Sequence, residues 1–194
     1  MTHQLPLPKF SDDLPLPSVL IAYSTIDGHT LTIGRRIQTI LEHHGHRVTL
    51  IPVEEALRMD CCGFDKIILG ASIRYGWHRP SVYDFIAHNR KLLRQRPSAF
   101  FSLSAVARKK GKNTPATNPY FKKFVRRSQW TPSVAATFGG RIDYARYAFA
   151  DRWMIRLIMW LTRGPTDLKS AVEFTDWSAM ENFAMHISRL GNQA

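Results

Sequence analysis

The sequence predicts an α/β fold with a doubly wound parallel sheet, on three observations. Short apolar runs recur along the 194 residues, separated by segments whose apolar positions fall at helical spacing; strands alternating with helices make a parallel sheet covered on both faces. The first run hands over through a polar, glycine-containing turn to a helix, as at the carboxyl end of a parallel strand. A chain that is 44% hydrophobic and 22% charged suits one domain with a sizeable core.

The elements follow in order. Met1–Pro17 predicts an irregular leader, because Pro6, Pro8, Pro15 and Pro17 fix φ and remove backbone donors. It contains no hydrophobic block of a secretory signal, and the domain proper is expected over 18–190. Val19–Tyr23 is a short apolar run, expected to form a strand buried on both faces. From Thr30 the residues Ile33, Ile37, Ile40 and Leu41 share a helix face, and Gly45 suits the position past its end. Val48–Val53 and Lys66–Ala71 are the next strands, joined by a short helical or irregular connection. Ser81 is expected to cap a helix running to about Arg94, with Asp84 completing a variant capping box. Ala99–Ser104 is a fourth strand, Asn118–Ser128 a helix and Ser133–Gly139 a fifth strand. Thr175 is expected to cap a last helix with Trp177, Met180, Ala184 and Ile187 on one face.

Between the fifth strand and the last helix lies a long insertion, about 140–174, where connections of roughly 2–6 residues are usual. Its segment 151–163 projects as an amphipathic helix. At roughly 100° per residue Arg152, Arg156 and Arg163 lie within about 40° of one another, and Trp153, Met154, Ile155, Leu157, Ile158, Trp160 and Leu161 fill a wide apolar arc. Such a helix either lies in a membrane interface or docks on the sheet or a second subunit. It is too short to span a bilayer.

Charge narrows the partners. Lys and Arg number 27 against 15 Asp and Glu, a net charge of +12, and from Phe85 to Arg141 there is no acidic residue. That surface serves solubility, nucleic-acid phosphates or anionic lipid; no nucleic-acid module is recognisable, so no nucleic-acid partner is expected. Cys61 and Cys62 are adjacent and expected to be free thiols in a reducing, cytosolic setting. His43, His44 and His46 lack partners at ligand spacing, so no metal is expected and a solvated helix end is.

The turn after the first strand carries the clearest chemistry. Ser24-Thr25-Ile26-Asp27-Gly28-His29-Thr30 offers hydroxyls, backbone N–H groups and a helix N-terminus, a set that surrounds a phosphate without lysine or arginine; ordinary helix capping is the alternative. No G-x-G-x-x-G follows the first strand and no P-loop motif occurs. A monophosphate held by hydroxyls points to flavin mononucleotide (FMN).

This S-T-x-D-G-x-T turn resembles the phosphate loop of flavodoxins. Gly70–Gly76, Ala105–Lys109, Ser128–Trp130, Phe174–Trp177 and the stretch Tyr144–Leu161 together resemble the menaquinone-dependent protoporphyrinogen IX dehydrogenases, a flavodoxin-like family that completes protoporphyrin synthesis in many bacteria. The similarity runs from about Val19 to Leu190; the proline-rich leader departs from it.

The resemblance implies a five-stranded sheet of order 2-1-3-4-5. It implies that Ser24, Thr25, Ile26, Asp27, Gly28, His29 and Thr30 hold the FMN phosphate. Ser72, Ile73, Arg74, Tyr75 and Gly76 would border one side of the flavin ring, and Ser102, Leu103, Ser104, Ala105 and Val106 the other. Tyr75 or Trp77 would stack on the ring. Arg74 would meet the flavin or a substrate carboxylate, and Arg108, Lys109 and Lys110 are candidates for substrate propionates. Trp153, Ile155, Leu157 and Trp160 would contact an anionic membrane surface. The implied activity is the six-electron oxidation of protoporphyrinogen IX with electrons passed to a membrane quinone, peripherally at the cytoplasmic side of a bacterial inner membrane. A flavodoxin-like quinone or NAD(P)H oxidoreductase and a non-catalytic electron carrier are the alternatives; a homo-oligomer is left open. No residue stands out as an obligatory general base.

Overall fold

The computed structural model describes residues 15–143, 153, 156, 160 and 171–191. Its centre is a parallel sheet of order β2-β1-β3-β4-β5, formed by β1 (Ser18–Ser24), β2 (Arg47–Pro52), β3 (Lys66–Ser72), β4 (Ser98–Ser104) and β5 (Val134–Gly139). Alternation along β1 divides the core. Val19 and Ile21 face α1 (His29–His43) and the last helix, α6 (Trp177–Arg189), where Ile33, Ile37, Met180 and Ile187 close that layer. Leu20 and Ala22 face the opposite layer of Phe85, Phe100, Phe121 and Phe124, supplied in part by α3 (Pro80–His88) and α5 (Pro119–Ser128). Phe100 and Phe124 stack at 4.0 Å between ring centroids. The central strands β1, β3 and β4 are buried on both faces and read as mainly apolar runs, which is why they were legible.

The sequence-based reading needs correction at several boundaries. Val53 leaves the second strand and starts a short helix, α2 (Val53–Ala56). Ser81 does not cap α3: Pro80 occupies the first turn, Arg79 is the N-cap, and Ser81 Oγ donates to Glu54 at 2.9 Å. Proline's fixed φ suits that first position and moves the start upstream of Ser81. The helix then breaks at Asn89, whose side chain donates to the Phe85 carbonyl at 3.1 Å; α4 (Arg90–Gln95) follows. Thr175 does not cap α6 either. Asp176 does, accepting from the Ala179 N–H at 2.9 Å, because a carboxylate suits a helix N-terminus.

The insertion contains two strands that the sequence did not suggest. β6 (Arg141–Asp143) and β7 (Ala171–Glu173) pair antiparallel, Ile142 opposite Val172. Three residues are too few to display a period. At their base Gly139 is required: a Cβ there would collide with the Phe174 carbonyl. Within the expected helix 151–163, Trp153, Arg156 and Trp160 are helical; Ile155, Leu157 and the remainder lie outside the described residues, as does the leader up to residue 14.

The histidine cluster is also corrected. His46 is buried, not solvated. Its Nδ1 donates to the His44 carbonyl at 3.1 Å, and its Nε2 accepts from Lys66 Nζ at 2.9 Å. Lys66 also donates to the carbonyls of Ile187 and Ser188 at 3.2 and 2.8 Å, closing the end of α6.

Candidate functional site

The turn from β1 into α1 leaves polar groups without partners. Gly28 is the N-cap of α1 at φ 82°, a left-handed conformation that glycine adopts without strain. No side chain caps this helix; Thr25 Oγ1 accepts instead from the Gly28 N–H at 3.0 Å. Ser24 Oγ and Thr30 Oγ1, at the two ends of the turn, are buried with no hydrogen-bond partner. Buried hydroxyls are rarely left so. Together with free N–H groups and the positive end of a helix, they suit an anion brought in as ligand. Trp130 Nε1 and Thr137 Oγ1 are also unpartnered; neither lines the cavity described next, and nothing in the structure explains them.

Above the turn opens a cavity of about 450 Å³, within the range of roughly 300–1,000 Å³ usual for ligand sites. Three strand ends build it. Thr25, Asp27, His29 and Thr30 come from the first turn; Ser72, Ile73, Arg74, Tyr75 and Gly76 follow β3; Leu103, Ser104, Ala105 and Val106 follow β4. Four residues of the expected set do not line it. Ser24 is buried and Ile26 points outward, 45% exposed; Gly28 forms the turn. Ser102 is turned into the core, where its Oγ lies 2.9 Å from His78 Nε2.

The loop after β3 is a tight turn, with Arg74 and Trp77 exchanging backbone hydrogen bonds at 3.0 and 3.1 Å. Tyr75 takes φ 51° in it and lines the cavity. Trp77 does not line it; Lys123 and Arg127 lie over its ring. Of the two aromatics, Tyr75 is therefore the wall residue. Arg74 Nη1 holds the Asp27 carboxylate at 3.0 and 3.1 Å, which offsets the one negative charge of the first turn.

Arg108, Lys109 and Lys110 do not line the cavity; they follow its wall residues Ala105 and Val106 in the chain. Arg108 donates to the Ala105 carbonyl and lies 5.8 Å from the Phe174 ring centroid. The cavity's remaining wall is Tyr120, Gly140 and Arg141, which sequence reasoning missed. Arg141 had a signal, since it lies just beyond the carboxyl end of β5, where ligands gather in such sheets; Tyr120, at the start of α5, had none.

His29 lines the site, and His78 is buried in the core against Ser102. Burial holds His29 below the usual imidazole range; Glu173 works against that shift and Arg141 with it. His29 Nε2 lies 2.7 Å from Thr175 Oγ1, and the ring meets Trp177 edge-on at 6.4 Å. Burial among Tyr83, Phe100 and Phe124 pushes His78 down to about 4. Among the described residues no group of three or more His, Cys, Asp or Glu could hold a metal. No helix among them is long and apolar enough to cross a membrane.

Known proteins agree with this architecture. A family model described as flavodoxin domain matches residues 20–169. The chain is 39% identical over 171 residues to protoporphyrinogen IX dehydrogenase [quinone] of Escherichia coli (strain K12), covering 88% of this chain and 94% of that protein. It is 37% identical over 175 residues to the protein of that name from Leishmania major, covering 90% of this chain and 76% of the relative. In three dimensions it superposes on oxidised flavodoxin 1 from Bacillus cereus with a TM-score of 0.52 at 12% identity, over 89% of this chain and 98% of the other; that likeness speaks to the fold. The sheet order, the strand-end cavity and these identities lead to one assignment: the chain belongs to the flavodoxin-domain family, among its quinone-linked protoporphyrinogen IX dehydrogenases, and is an oxidoreductase.

Proposed function

We propose that the chain uses FMN to oxidise protoporphyrinogen IX to protoporphyrin IX and passes the electrons to menaquinone or another membrane quinone, serving porphyrin and heme synthesis. One observation carries the cofactor reading: Ser24 Oγ and Thr30 Oγ1, both buried and unpartnered, stand at the two ends of a turn whose uncapped helix start opens, at His29 and Thr30, on a cofactor-sized cavity. A phosphomonoester supplies acceptors for these donors. When bound, FMN supplies the redox chemistry, taking up a hydride equivalent and releasing electrons singly or in pairs.

The chain's own residues bind and orient. The two hydroxyls and the N–H groups of α1 hold the phosphate end. Tyr75 walls the ring site with a face suited to stacking. Arg141 in the wall, with Arg108, Lys109 and Lys110 beside it, gives the cavity a cationic edge for the propionates of a porphyrinogen. The named relatives support this substrate and acceptor. Access to a lipid-dissolved quinone is supported by Trp153 and Trp160, 48% and 68% exposed, with Arg156 against the Trp153 ring at 5.1 Å. Arginines at headgroups and indoles at the acyl boundary suit a peripheral position on an anionic membrane, at the cytoplasmic face.

The test is an anaerobic assay of the FMN-loaded chain with protoporphyrinogen IX and a menaquinone analogue. Porphyrin fluorescence should rise with the quinone and not with NADP alone. Bound flavin without porphyrin formation would favour an electron carrier. For the membrane, the pair Trp153→Ser and Trp160→Ser should release the protein from anionic vesicles with flavin retained; unchanged vesicle binding discards the interfacial helix.

A further inference from the structure

We propose that His29 is the proton-linked contact of the phosphate turn: when a flavin phosphate binds, its imidazole takes a proton from water at Nδ1, and the resulting cation selects FMN over riboflavin. This rests on the flavin reading of the cavity and adds to it a role for a residue.

The hydrogen-bond chain around the ring fixes which nitrogen is available. His29 is the first residue of α1 and lines the cavity next to Thr30. Its Nε2 faces Thr175 Oγ1 at 2.7 Å, and the single hydroxyl hydrogen of Thr175 goes to the Gly139 carbonyl at 3.0 Å. Thr175 must therefore accept, so the neutral ring carries its hydrogen on Nε2 and leaves Nδ1 bare. Among the described residues the ring makes no other hydrogen bond. A proton arriving at Nδ1 leaves the Thr175 bond intact, because Nε2–H donates in both states. No rearrangement is required.

Charge decides when that proton arrives. Without ligand, burial and Arg141 on β6 oppose it and Glu173 on β7 favours it; the positive end of α1 opposes it as well. Asp27 is committed to Arg74, and α6 contributes the uncharged Trp177. The turn Ser24–Thr30 contains no lysine or arginine. A phosphomonoester brings a charge of about −1.5 to −2 at pH 7, larger than any single charge named here, and an anion within about 4–6 Å favours the imidazolium. Riboflavin, which lacks the phosphate, brings none of this.

Calorimetric titration of the full chain with FMN and with riboflavin, in buffers of different ionisation enthalpy, counts protons taken up. At pH 7.5 the FMN phosphate is itself almost fully ionised. The wild type should take up most of one proton with FMN and none with riboflavin, and His29→Gln none with either. FMN should bind His29→Gln about tenfold more weakly at pH 7, the value of one charge-assisted contact, with the gap closing by pH 8.5. Equal proton counts for wild type and variant, or equal uptake with both flavins, overturn the proposal. Should the variant not fold, nitrogen NMR of wild-type His29 decides alone: an imidazolium in the FMN complex supports the proposal, and a neutral Nε2–H ring refutes it. A wild type that binds FMN without proton uptake removes this inference only, whereas one that binds neither flavin removes the flavin reading too.

Discussion

Strand β1 begins and ends with serine, and the two ends treat it oppositely. At the amino end Ser18 accepts from the Asp65 N–H at 3.2 Å, its hydroxyl lies 2.8 Å from the Asp65 carboxylate, and its own N–H donates there at 2.8 Å. These bonds hold the Asp65 carboxyl below the usual carboxylate range. Lys66, the next residue, places its three ammonium hydrogens on three acceptors. At the carboxyl end the hydroxyls of Ser24 and Thr30 have no hydrogen-bond partner. The polar groups at the start of this strand are consumed by the fold; at its far end two buried hydroxyls are left for something outside it. Stability and ligand binding should therefore separate along this strand.

The largest expected effect is at the amino end. Lys66→Met keeps the aliphatic bulk but removes all three donors, leaving the Ile187 and Ser188 carbonyls and His46 unmatched. A loss of about 3 kcal/mol in denaturant unfolding is expected, with FMN affinity of the folded protein unchanged. Stability equal to wild type would remove the contrast. Close in size is an acid effect beyond the carboxyl end of β3, through a buried histidine paired with Ser102. His78 has a folded value of about 4 against about 6.5 unfolded. Because the folded value is depressed, protons favour the unfolded chain once pH falls below about 6.5, and the loss approaches about 3 kcal/mol near pH 4. His46, lowered by burial and by Lys66, acts in the same direction. Denaturation midpoints at pH 7 and 4.5 should differ accordingly, and His78→Asn should shrink the difference.

These two groups also mark what the sequence could not display. The strands were legible because each carries a short, mainly apolar run, broken at most by a single Ser or Thr, and the turn Ser24–Thr30 because hydroxyls and glycine lie together in the chain. Lys66 reads as the start of a strand; its acceptors are 20, 121 and 122 residues away, so only the fold unites them. His78 and Ser102 are 24 apart and likewise silent. At helix starts the error was one of neighbours: Thr175 and Asp176 are both capping types, and only the backbone chooses between them. Thr175 was thereby freed to hold His29. Arg141 enters the cavity from the edge of the insertion, whose paired strands are too short to leave a pattern.

A smaller effect tests the open end directly. Thr30→Val preserves shape and removes a hydroxyl that has no partner, so stability without flavin should hold or rise by up to about 1 kcal/mol. FMN affinity should fall roughly tenfold to a hundredfold, the value of a hydrogen bond to a charged group, and riboflavin affinity should barely change. A stability loss with unchanged FMN binding would show that Thr30 belongs to the fold after all.

The smallest effects compare helix starts within the carboxyl end itself. The start of α5 is closed by its own sequence, with Asn118 Oδ1 accepting from the N–H groups of Tyr120 and Phe121 at 3.0 and 3.1 Å, whereas α1 is closed by nothing. Asn118→Ala should cost about 1 kcal/mol. Ser81, which the sequence predicts as the cap of its helix, lies inside α3 with a partly exposed bond to Glu54, so Ser81→Ala should stay within about 0.5 kcal/mol. Thermal unfolding of both variants resolves the difference. If Ser81→Ala proved as costly as Asn118→Ala, α3 would begin where the sequence placed it. The open start of α1 would then stand against side-chain-capped starts at α3, α5 and α6 rather than at α5 and α6 alone.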